Sequence, residues 1–172
     1  MAIRSATDRL RDEHELILRA LLILDSAAGR LGAGGALPEK RWTDTIGWLR
    51  DFADRNHHAK EETALFPAML DAGVPAEGGP IAVMLEEHAE GRTLLATMCA
   101  DEPVGRVAAA HRYIRLLRDH IDKENRILFP LADAVLDEDA QAELCREFAD
   151  LETGLGETAC LDPARDALAR LG

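Results

Sequence analysis

The chain has 172 residues, 47% hydrophobic and 30% charged, which describes one ordinary soluble globular domain and leaves no room for a second full one. A chain of this size buries about 70% of its unfolded surface, so it needs neither disulfides nor a metal merely to fold. Twenty Lys and Arg against 32 Asp and Glu give a formal charge of -12, a field that repels phosphate backbones and anionic headgroups and makes nucleic acid and membranes poor partners.

Glycine and proline cut the chain into long periodic segments separated by short breaks at Gly29 to Leu37, Ala72 to Pro80 and Asp101 to Gly105. β-Branched and aromatic residues are scarce and alternation is absent, so the segments read as helices and the protein as all-α. The first helix is expected to start at Ser5, whose hydroxyl can cap the Asp8 amide, and to run to about Ala28. Its stripe of Leu10, Ile17, Leu21 and Leu24 contains His14.

The second helix opens at Pro38 and extends to about Leu70, with Trp42, Ile46, Leu49, Ala53, His57, Glu61, Ala64 and Ala68 on one face. The third, about Pro80 to Ala100, turns Ile81, Leu85, His88, Leu95 and Met98 or Cys99 inward. The fourth, about Val104 to Leu136, carries Val107, Ala110, Tyr113, Leu117, His120, Glu124, Ile127 or Leu128, and Leu131. Four long helices with short connections make an up-down-up-down four-helix bundle. A fifth amphipathic stretch after Asp137 and a short terminal helix at Pro163 are expected to pack outside it, so residues 1–136 form the bundle and 137–172 a C-terminal helical extension. On that reading the whole length is used, and no fused sensor domain is expected.

The opening residues are charged almost at once and no window approaches about 18 uninterrupted apolar residues, so neither export nor membrane insertion is expected. Cys99, Cys145 and Cys160 are an odd set without CxxC spacing and read as reduced thiols of a cytoplasmic protein, Cys99 packed in the core.

An internal repeat singles out the polar residues that matter. Residues 57–67 and 120–130 share the pattern HxxKExxxLFP, which pairs His57 with His120 and Glu61 with Glu124. His58 and Glu62 have no counterparts; they stand as the alternative register, reachable through a local π-bulge. Residues four apart stack on one helix face, so each HxxxE unit offers an imidazole nitrogen and a carboxylate to one point of the interior. With His14 and His88 this makes four nitrogen donors and two carboxylates, a set suited to one or two first-row metal ions. A single buried histidine needs no metal, but carboxylates in a core cost several kcal/mol each unless neutralised, and a cation neutralises them. Lys60 and Lys123 are expected to pair with surface carboxylates, and His111, among Arg112, Arg115 and Arg118, to lie on a solvated face. Pro67 and Pro130 either kink or end their helices, and Gly91 either leaves room for a ligand channel or allows close packing.

His14, His57 with Glu61, His88, and His120 with Glu124, in four successive helices, resemble the hemerythrin-like (HHE cation-binding) family over residues 5 to 135. The resemblance implies a metal site of His14, His57, Glu61, His88, His120 and Glu124 holding two iron ions, with an oxo or hydroxo bridge, both glutamates bridging, His14 and His57 on one ion and His88 and His120 on the other. Iron rather than manganese or zinc rests on the resemblance alone. The oxygen-carrying hemerythrins have five histidines, with HxxxH on the third helix and HxxxxD on the fourth; here Arg92 follows His88 and Glu124 follows His120 at spacing four. The implied ions are thus more open than those of a simple oxygen carrier.

The expected function is a non-haem di-iron protein that binds or senses oxygen, nitric oxide or peroxide. Two alternatives stand beside it. One is a di-iron oxidoreductase acting on nitric oxide or peroxide, or in iron-sulfur cluster repair, which needs a protein electron donor because no flavin, haem or nucleotide motif is visible. The other is a structural or interaction module stapled by a metal.

Overall fold

A computed structural model of the chain describes residues 4–100 and 103–172; Asp101 and Glu102, in the expected third break, lie outside the described residues. Six helical rods and no strand occur among the described residues. Helix α1 spans Ala6–Gly32 and begins with the cap expected at Ser5, whose hydroxyl accepts from the Asp8 amide at 3.1 Å; the structure adds the return bond, in which the Asp8 carboxylate accepts from the Ser5 amide. The second rod is α2 (Glu39–Trp48), two π-helical stretches (Leu49–His58 and Glu61–Leu65) and α3 (Phe66–Asp71). Then come α4 (Pro80–Met98) and a fourth rod built of α5 (Pro103–Lys123), a π-helical turn (Glu124–Leu128) and α6 (Phe129–Val135). Helices α7 (Glu138–Leu155) and α8 (Leu161–Ala169) follow.

Neither Pro67 nor Pro130 ends its helix. A proline lacks the N–H that an α-turn would use, and its ring crowds the carbonyl four residues back. In both rods the turn before it opens to π geometry: the Phe66 amide donates to the Glu61 carbonyl and the Phe129 amide to the Glu124 carbonyl. The two copies of the repeat thus share a backbone distortion as well as a motif. In the second rod the wider turns also shift the inward face, so that Met69 rather than Ala68 is fully buried.

The four rods surround two apolar clusters. One gathers Leu16 to Ala28, Trp42 to Ala53, Leu94 to Met98 and Ala109 to Ile121 with Ala164 and Leu168 of α8. The other joins Leu10, Leu65, Phe66, Met69, Ile81, Met84, Leu128 and Phe129 to Leu144 and Phe148 of α7. Every histidine of the expected site falls between the clusters, so the polar layer is closed above and below by hydrocarbon.

Two further inward placements differ from the sequence pattern. Leu85 is exposed and Met84 takes its place in the core; Cys99, just past the end of α4 at Met98, is exposed as well. The apolar stripe of α4 is broken by its small and acidic residues, which blurred its phase. His111 is half-buried, its side chain open to solvent near Asp25, on the solvated face expected for it. No described helix is long and apolar enough to cross a membrane.

Phe148 ties α7 into the second cluster with no exposure at all. Phe148→Ala is expected to destabilise the protein by about 3–5 kcal/mol, the usual cost of emptying a buried aromatic site. Chemical denaturation followed by circular dichroism checks this; a change below about 1 kcal/mol would mean that α7 contributes little to the core.

Candidate metal centre

His14 on α1, His57 and Glu61 on the second rod, His88 on α4, and His120 and Glu124 on the fourth are all buried in one layer. They come together in two groups that share Glu61. In each, the potential ligand atoms lie within 4.8 Å of one another: His14, His57, Glu61 and Glu124 in one, and His58, Glu61, His88 and His120 in the other. The structure therefore does not choose between His57 and His58 but brings both inward. The π-helical stretch Leu49–His58 accounts for this, since a widened turn lets consecutive residues reach the same interior layer. His58 stacks on His88 with ring centroids 3.8 Å apart. Its counterpart is missing from the second repeat because position 121 is Ile121, so the repeat itself gave no signal for it.

Each carboxylate spans the two groups. Glu61 sends Oε1 to 3.7 Å from His57 Nε2 and Oε2 to 3.4 Å from His88 Nε2. Glu124 places Oε1 3.2 Å from His120 Nε2 and Oε2 3.0 Å from His14 Nε2. None of these approaches has the alignment of a hydrogen bond, and all four oxygens are buried without a partner. Such oxygens are costly to bury, and a cation between them and the ring nitrogens would satisfy them.

The outer edges of four rings are fixed by oxygen acceptors. His14 Nδ1 meets Asn125 Oδ1 at 3.0 Å, His57 Nδ1 meets Glu13 Oε2 at 2.9 Å, His88 Nδ1 meets Glu62 Oε1 at 2.7 Å and His120 Nδ1 meets Glu87 Oε2 at 2.8 Å. An acceptor at Nδ1 keeps the hydrogen there and leaves Nε2 of a neutral ring as a bare lone pair. Those lone pairs face each other in twos, His14 and His57 at 3.0 Å, His88 and His120 at 3.1 Å. Two lone pairs at that separation repel unless a proton or a metal ion lies with them. Glu62 is therefore not in the central layer; it orients His88 and also accepts from Arg92 at 2.7 Å.

Glu13 and Glu87 carry a second correspondence, Glu13-His14 on α1 and Glu87-His88 on α4, too short to register in the sequence beside the longer repeat. Each glutamate orients the histidine of the following rod and binds the lysine three residues beyond it, Glu13 with Lys60 and Glu87 with Lys123. Lys60 is thus not the surface residue the sequence suggested: its side chain has no exposure, against 35% for Lys123.

Burial drives the Glu61 carboxyl well above the usual range, and the Glu124 charge pushes it further. Burial disfavours an ionised Glu124 as well, but His120 and His14 beside it outweigh that and hold its pKa well below the usual range. Burial brings His57 down to about 4 and lowers His88 and His58. For His120 burial acts the same way, yet Glu124 and Glu87 overcome it and push the pKa up to about 9. Without metal, then, His120 holds a proton at neutral pH where a cation would need a lone pair, and burial favours the neutral form of Glu61 where a cation would need a carboxylate.

Loading the metal-free chain with a divalent cation is therefore expected to release protons, and uptake to weaken as the pH falls from about 9. Calorimetric titration in buffers of different ionisation enthalpy measures both; uptake without proton release would contradict this assignment.

The hemerythrin HHE cation binding domain matches residues 5–132 of the chain. Two curated relatives, Uncharacterized protein Mb2018 of Mycobacterium bovis and Uncharacterized protein Rv1995 of Mycobacterium tuberculosis, are each 27% identical over 158 residues, covering 86% of this chain and 61% of their own length. The chain thus spans about three-fifths of the relatives it matches. No solved structure matches it.

Proposed function

The chain belongs to the hemerythrin HHE cation-binding family, and from that premise we propose that it is a cytoplasmic non-haem di-iron protein that binds or senses oxygen or a related small molecule, nitric oxide or peroxide. The observation that carries the reading is the pair of buried carboxylates, each with one oxygen toward each histidine pair and no hydrogen bond on any of the four. A donor set that reaches two ways from both carboxylates suits two ions bridged by Glu61 and Glu124. His14 and His57 would hold one ion, and His58, His88 and His120 the other. Bound iron would supply Lewis acidity and one-electron chemistry toward a small molecule.

His58 changes the count expected from the sequence. Five nitrogens replace four, divided two and three, so only the His14–His57 side keeps the smaller number of protein donors, and a small molecule is favoured there. The protein's own part is to exclude water and fix the rings. Phe129 stacks on His14 at 5.3 Å and Phe66 on His88 at 6.0 Å, closing the layer toward the second apolar cluster. Glu13, Glu62, Glu87 and Asn125 hold the Nδ1 hydrogens and so keep Nε2 free for metal.

Protein purified without air is expected to contain two irons per chain and to develop an oxo-type absorption band on exposure to air. Metal analysis with the spectrum before and after air tests this; one zinc, or no uptake of ferrous iron by folded protein, would overturn the reading. His58→Ala is expected to weaken binding of one ion by at least tenfold and leave the other in place. Unchanged uptake in that variant would return the centre to the six-residue set.

A further inference from the structure

The two halves of the centre are built alike but finished differently. In each, a glutamate joins a histidine Nδ1 to a lysine: His57 to Glu13 to Lys60, and His120 to Glu87 to Lys123. Lys123 has Glu87 as its sole carboxylate partner among the described residues and is partly open to solvent. Lys60 has a further one: its ammonium donates to Glu152 Oε1 of α7 at 2.6 Å and lies 5.7 Å from the centre of the Phe148 ring, also on α7. Glu152 is in turn held by both oxygens to Arg9 Nη2 at 3.1 Å. Glu152 lies beyond residues 5–132, the span of the family domain.

We propose that Glu152 is a positioning residue of the metal centre: acting through Lys60 and Glu13 on the His57 ring, it lets α7 set how tightly the His14–His57 side holds its cation. This rests on the metal reading given above. A carboxylate on a ligand histidine's Nδ1 raises the donor strength of Nε2, and a lysine clamped to that carboxylate damps the effect. Glu152 shares the lysine and so returns negative charge to Glu13. With Glu152 neutral, Lys60 would bear on Glu13 alone, and the group of Glu13, Lys60, Glu152 and Arg9 beside His57 would change from neutral to net positive. Both the ion and the polarised ring then lose stabilisation, while the His120 side, without such a third member, is untouched.

The test compares Glu152→Gln with Arg9→Met in the 172-residue chain, by anaerobic titration with ferrous iron. Glu152→Gln is expected to keep the circular dichroism of the parent and weaken one of two binding steps by about threefold to tenfold, a fraction of the 10–100-fold typical when a ligand's direct partner is removed. Glu13→Gln is expected to weaken the same step by about 10–100-fold, and Glu152→Asp to recover part of the loss. Arg9→Met cuts one tie between α1 and α7 but leaves Glu152 on Lys60 and makes the group more negative, so neither step should weaken. Unchanged binding in Glu152→Gln overturns the proposal, as does equal weakening of both steps in Glu152→Gln and Arg9→Met, which would make Glu152 a staple of the fold. The His57 Nδ1–H proton resonance of metal-free protein separates this proposal from the reading beneath it. It moves in Glu152→Gln if the connection exists and stays in place if it does not, whether or not iron binds.

Discussion

Two carboxylates removed from water at the middle of a helical bundle govern the rest of this structure. Glu61 and Glu124 have no exposure and no hydrogen bond to any of their oxygens. Each would cost several kcal/mol as an isolated charge, and together they repel. What surrounds them answers that cost in layers: histidine nitrogens within ligand distance, then acceptors that fix those rings, then lysines and arginines that hold the acceptors. Apolar clusters on either side keep water out, which raises the cost of leaving the layer unsatisfied and strengthens the hold on a cation. In the metal-free chain, the proton that His120 keeps at neutral pH supplies positive charge beside Glu124, and burial favours the neutral form of Glu61.

Much of this was legible in the sequence. Helix phase alone placed His14, His57, His88 and His120 inward, and the HxxKExxxLFP repeat aligned both glutamates, because a period of 3.6 residues is fixed by backbone geometry. What the sequence could not show were features that depend on departures from that period or on contacts between distant segments. His58 needed the π-helical stretch to turn inward. Lys60 looked like a surface residue, since its partners Glu13 and Glu152 lie 47 positions before it and 92 after it. Cys99 and Leu85 sat on an α4 face whose phase the sequence left ambiguous.

The chain contains the same device twice. A helix bearing Glu-His leads into a rod bearing HxxKE, once as α1 and the second rod and again as α4 and the fourth, and each glutamate reaches across to the next histidine. Such an arrangement alone would give two equivalent halves. The departures are few and local: His58 against Ile121 beside the central histidine, Asn125 against Glu62 after the central glutamate, and α7 over one lysine only. They divide the nitrogens unequally and close one side more tightly than the other, so the asymmetry of the centre is written by a handful of side chains on a nearly symmetric frame.

The wide turns have a consequence for anyone who would move this centre elsewhere. A π-turn resets the angular phase of a helix, so the residues before Leu49, those between Glu61 and Leu65, and those after Phe66 follow different helical frames along one continuous rod. A straight α-helix given the same residues at the same spacing would carry the motif but aim it differently, with His57 and His58 about 100° apart on its circumference. A transplant would have to bring the proline and the widened backbone with it, because the shape of the helix is itself one of the ligands' supports.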